Sequence, residues 1–146
     1  MGYLIRPYNF QREAPELERL VSMAVATGGL PIRSEGSKSS LKLAFECYPE
    51  RVINLSKDVA GIIWLSGESA DAPVLIDLLD LCIREGGGIT EWQQPDRRLP
   101  LPLTVDYIAS EFARMRAVAM RVTLVLAAMA LLALSLVVAV IWLLVR

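Results

Sequence analysis

The sequence predicts a small α+β domain followed by a long helix that ends in one membrane span. Three observations carry this. Residues Val122 to Val145 contain no charged side chain. The run Leu41 to Tyr48 alternates apolar and polar residues, the period of a half-buried strand. Two stretches, Pro15–Ala26 and Ala72–Glu85, repeat apolar residues at helical spacing and are followed by glycines.

Taken in order, Gly2 to Tyr8 reads as a short strand. Helix one follows over Pro15–Ala26. Pro15 suits a first turn, Leu17, Leu20, Val21 and Ala24 share a face, and Gly28 and Gly29 end it. Leu30 to Ser40, rich in Ser, Gly and charge, reads as a loop. In the strand Leu41–Tyr48, Leu41, Leu43, Phe45 and Cys47 take one side, and Lys42, Glu46 and Tyr48 the other. Pro49 and Glu50 turn the chain into a strand at Arg51–Leu55. Ser56 to Asp58 turn it again into Ala60–Ser66, whose Ile62, Ile63, Trp64 and Leu65 suit a central strand. Helix two carries Asp71 as its expected cap, with Leu75, Leu78, Leu79 and Cys82 inward and Asp77, Asp80 and Arg84 outward. Ile89 to Gln93 reads as a last short strand. The order is βαββαβ, with room for one more strand, and it implies a ferredoxin-like sandwich. Such a plan serves many functions and assigns none.

The expected domain organisation is an α+β domain over 1–93, a proline-rich linker over 94–103, a juxtamembrane amphipathic helix over 104–121 and a transmembrane helix over 122–145. Pro100 and Pro102 hold the linker extended. Thr104 caps the helix. Val105, Ile108, Phe112, Met115 and Ala119 recur at spacings of three and four, a heptad seam. Ala119, Thr123 and Ala127 add small residues that let another helix approach. These seven are the candidate helix-contact residues, for an integral membrane partner or for self-association. Changing Ile108 and Phe112 to Ser is expected to release that partner without unfolding the strands.

A helix over 122–145 rises roughly 36 Å, enough to cross a hydrocarbon core of about 30 Å. It is apolar all round, unlike a core helix with a polar stripe. Its position at the C-terminal end predicts a tail anchor, and the N-terminal stretch Met1–Pro15 lacks the basic-then-apolar order of a signal peptide. Position six is Arg6, so a myristoylation signal is missing. Arg114, Arg116 and Arg121 precede the span and only Arg146 follows it, which predicts a cytosolic N-terminal side. Trp142 and Arg146 suit the far interface.

Residues 1–100 hold eleven basic and fourteen acidic side chains, a net −3. That balance argues against a nucleic-acid partner. Twelve arginines against three lysines suggest a GC-rich, bacterial source. Cys47 and Cys82 have no CxxC spacing and read as buried core thiols.

The chemical motifs are weak. Ser34 to Ser40 has Gly36 and Lys38, but not the Gly-x-x-x-x-Gly-Lys order of a phosphate loop. Trp64 to Ser69 has serines and Glu68, but no Gly-x-Ser-x-Gly and no base. The chain has no histidine, which removes Ser-His, Cys-His and His-metal chemistry. Asp77 and Asp80 read as a solvated face beside Arg84. Arg97 to Pro102 spaces its prolines as P-x-P, so it reads as linker. The expectation is a non-enzymatic accessory or assembly subunit of a larger membrane complex, without cofactor or metal, set in a bacterial inner membrane. The alternative is a membrane-tethered sensor whose domain binds a small ligand.

Overall fold

The computed structural model describes residues 3–68, 73–92 and 98–146. Two compact units divide the chain, Met1–Phe112 and Ala113–Arg146. The first is α+β. Its strands are β1 (Tyr3–Phe10), β2 (Ile32–Ser37), β3 (Ser40–Phe45), β4 (Ile53–Lys57), β5 (Ile63–Glu68) and β6 (Gly88–Ile89). Its helices are α1 (Leu17–Gly28) and α2 (Pro73–Glu85), and it includes the start of α3 (Val105–Val145).

The strands form one antiparallel sheet in the order β2-β3-β4-β5-β1-β6. The ferredoxin-like plan expected from the sequence, even with one added strand, is therefore not what the sheet shows: it has six strands in a different order. Residues 32–37, expected in a loop, pair along β3 from Ile32↔Phe45 to Ser37↔Ser40. The meander between the two helices consequently holds four strands. After α2 the chain returns as β6 on the far side of β1, so that β1 lies between β5 and β6.

Alternation assigns the faces. Leu41, Leu43 and Phe45 of β3, Ile53 and Leu55 of β4, and Ile63 and Leu65 of β5 are buried in one cluster with Leu17, Leu20 and Ala24 of α1 and Leu75, Leu78, Leu79 and Cys82 of α2. Each such aliphatic side chain taken from water stabilises the fold by about 1.5–3 kcal/mol. Both helices thus cover one face of the sheet. The Leu41–Tyr48 alternation stops early, because β3 ends at Phe45. Cys47 falls beyond it and is exposed, against expectation, whereas Cys82 is buried as expected.

Helix α1 starts at Leu17, two residues later than expected, with Glu16 at the cap position and no side-chain cap bond. Gly29 closes it in the left-handed region at φ 72°, and its N–H donates to the Val25 carbonyl. A side chain there meets backbone strain that glycine avoids. The expected cap Asp71 of α2, residue Ser69, the end of the expected last strand at Gln93, and 94–97 of the linker lie outside the described residues. Residues 98–103 are not a free spacer. Leu103 is buried, Leu99 packs on the core, and the Leu103 N–H donates to the Gly28 carbonyl at 2.8 Å.

Candidate functional site

Helix α3 is built as the spacing suggests. Thr104 caps it, its Oγ1 accepting from the Tyr107 N–H at 3.1 Å. The helix is 41 residues long and contains a stretch long and apolar enough to cross a membrane. That stretch is not buried within the chain. Its two hydroxyls are satisfied locally: Thr123 Oγ1 donates to the Ala119 carbonyl at 3.0 Å and Ser135 Oγ to Leu132 at 2.8 Å. They leave no orphan donor for lipid. The Arg146 guanidinium lies over the Trp142 ring at 4.3 Å, a pairing that suits an interface.

The seam residues separate into two sets. Ile108 is fully buried and Phe112 nearly so, both within the domain core. Phe112 meets the Tyr48 ring edge-on at 5.0 Å, and the Arg51 guanidinium lies 4.9 Å from its ring centre. The first turns of α3 thus root the helix in the domain. The apolar periodicity there is real, but the domain itself covers it. Val105, Thr123 and Ala127 are exposed, and Met115 and Ala119 half-buried. Among the basic flank, Arg114, Arg116 and Arg121 are exposed, as are Trp142 and Arg146.

A second constellation went unseen in the sequence. Arg6 and Tyr8 of β1 point under α2 and are buried. The Tyr8 hydroxyl donates to Asp80 Oδ1, and Arg6 Nη1 lies 3.4 Å from the same oxygen. Arg84 Nε sits 3.0 Å from Asp80 Oδ2, one turn along α2. Asp80 was expected on a solvated face with Asp77 and Arg84. Its side chain is instead only 15% exposed, because α2 lays it over β1. Burial, then the hydrogen bond and charge of Asp80, push the Tyr8 phenol well above its ordinary value. No signal in a single sequence links residue 6 to residue 80. The one hint is an arginine at the centre of a mostly apolar strand.

A carboxylate orders the β4–β5 hairpin. Asp58 Oδ1 accepts from the N–H groups of Ala60 and Ile62, and Oδ2 accepts from Trp64 Nε1 at 3.0 Å. The Trp64 bond, then the backbone bond from Ile62, hold this carboxyl below the usual range. A shallow groove of about 350 Å³ beside it is lined by Phe10, Arg12, Glu13, Lys57 and Asp58 among others. Lys57 Nζ is spent on the Ala14 carbonyl at 2.8 Å. The hairpin geometry is that of a turn lock.

The remaining motifs resolve into structure. Ser34 to Gly36 lie in β2, so the residues that faintly suggested a phosphate loop form a hairpin. Ser66, Gly67 and Glu68 lie in β5, paired to β1. Burial raises the pKa of both thiols, that of Cys82 in the core and that of Cys47 at the surface. Among the described residues no group of His, Cys, Asp or Glu is arranged to hold a metal ion. Compared with family models, with curated proteins and with solved structures, the chain matches none.

Proposed function

We propose that this chain is a single-pass membrane protein whose α+β domain stands on the cytoplasmic side of a bacterial inner membrane. There it acts, without catalysis, as an accessory or assembly subunit of a larger membrane complex. The observation that supports this best is α3, which joins a root packed in the domain to an apolar stretch of membrane length. Arg114, Arg116 and Arg121 on the domain side of that stretch favour a cytoplasmic domain. With Ile108 and Phe112 already occupied, the partner contact falls to Met115, Ala119, Thr123 and Ala127. Small residues there allow close approach of a second helix.

The test is purification of the tagged full-length chain in a gentle detergent, with the mass of the complex read under native conditions. A stoichiometric integral membrane partner is expected. The double variant Ala119→Ile/Ala127→Ile is expected to lose it while keeping the unfolding midpoint of the domain. A chain recovered alone, or only with copies of itself, contradicts the reading.

A further inference from the structure

Strand β2 ends the sheet, and no described strand pairs with its outer edge. Which of its backbone groups face outward follows from the register. The Pro31 carbonyl accepts from the Glu46 N–H at 3.1 Å, so residue 31 points its polar groups at the β3 side. Alternation then turns Arg33, Glu35 and Ser37 toward β3 as well. The N–H and C=O groups of Ile32, Ser34 and Gly36 therefore point away from the sheet. Arg33 to Ser37 are exposed. Natural sheet edges are usually blunted by charged side chains, above all lysine, by proline, by a bulge or by an inward charge. The strand Ile32-Arg-Ser-Glu-Gly-Ser37 carries no lysine, proline or bulge, its two charges Arg33 and Glu35 pair with each other, and Pro31 and Lys38 lie just outside it. Gly36, at φ 142°, is a position where an added side chain would meet the Ser40 carbonyl at 2.2 Å.

The side chains select the occupant. Arg33 and Glu35 are on the face of the sheet turned away from α1 and α2 and form an ion pair with each other, with Lys42 of β3 opposite Glu35. An antiparallel neighbour can bond this edge only by opposing Ile32, Ser34 and Gly36 with outward groups of its own. For a second copy of β2, three registers give the greatest overlap. One sets Arg33 against Arg33, and another sets Glu35 against Glu35. The third opposes Ser34 to Ser34 and Ile32 to Gly36, and it places Arg33 opposite Glu35 on both sides of the two-fold. Like charges directly opposite are destabilising and opposite charges favourable. The strand is self-complementary in that one register.

We infer that β2 is a self-association edge, joining two copies of this chain antiparallel about Ser34 so that Arg33 of each faces Glu35 of the other and the two sheets become one. Such an interface is isologous, as a two-fold requires. Anchoring both copies in one membrane raises their effective concentration and offsets the small area of an edge contact. The inference stands on the strand edge and does not require the partner proposed for α3.

The test uses full-length chains carrying two different fluorophores in liposomes of zwitterionic lipid, with energy transfer as the readout. Wild-type chains associate. Arg33→Glu chains alone and Glu35→Arg chains alone each face like charges, and their association weakens on the order of tenfold. Mixing Arg33→Glu chains with Glu35→Arg chains makes both cross-strand pairs complementary, and association returns. The ion pair within one chain cannot produce that rescue. Ser34→Pro removes an outward N–H, a change an edge position tolerates, and abolishes association with the unfolding midpoint retained. Wild-type chains that stay monomeric, single variants that associate like wild type, or a mixture no better than its components would each overturn the inference.

Discussion

Replacing Asp80 with Ala lowers the unfolding free energy of the domain by about 3–5 kcal/mol, because it strands the Arg6 guanidinium under α2 without its counter-charge. Arg6 is 2% exposed, so water cannot make up the loss. The same change leaves the Tyr8 hydroxyl without its acceptor. Replacing the pair together, Arg6→Met with Asp80→Leu, costs far less, since no charge is then left buried alone. Urea unfolding followed by Trp64 fluorescence measures both. Alkaline pH provides an independent reading of the cluster. The phenol of Tyr8 has its pKa raised in the folded state. It therefore contributes stability that is fully present below the unfolded value of about 10 and is lost as pH rises above it, by about 1.4 kcal/mol per unit. Tyr8→Phe flattens that alkaline slope. An Asp80→Ala variant as stable as wild type would mean that the cluster is solvated and does not brace α2.

Ile108→Ser and Phe112→Ala each unfold the domain readily, in contrast to the sequence-based expectation that this face serves a partner. Truncating a buried aliphatic or aromatic side chain costs about 2–5 kcal/mol, and Ile108 is fully buried. Phe112→Ala also removes the ring held between Tyr48 and Arg51. Val105, on the same seam, is 45% exposed, and Val105→Ala changes stability by less than about 0.5 kcal/mol. The three variants compared by denaturant titration separate a root packed on the domain from a seam left free for another helix. Equal, small losses at all three positions would show that the root is not part of the core.

How much of this was legible depends on the range of the interaction that writes it. The charge-free run from Val122 to Val145 is a local property and is read directly. The alternation of Leu41, Leu43 and Phe45 is local too, and those residues are in the core. Strand β2 has no apolar alternation, because an edge strand over an exposed hairpin buries little. Its order comes from pairing with β3, so it looked like loop, and the ferredoxin-like expectation lost its strand count there. Cys47 was misplaced for the converse reason: the alternation runs past Phe45 but the strand does not. Asp80 looked solvated because its partners are on β1, distant in sequence. Ile108 and Phe112 showed a buried face without showing what buries it. Periodicity gives burial; the identity of the covering surface is set by topology.

The central claim, a membrane-anchored chain with its domain on the cytoplasmic side, is tested most directly at Cys47. It is exposed, whereas Cys82 is fully buried and stays silent. The measurement is labelling of the full-length chain with a membrane-impermeant maleimide in sealed vesicles of known sidedness, at mildly alkaline pH to offset the raised thiol pKa. The account predicts that Cys47 reacts in inside-out vesicles and is protected in right-side-out ones, with the chain remaining in the membrane pellet. Labelling in right-side-out vesicles, or recovery of the chain in the soluble fraction, would contradict it.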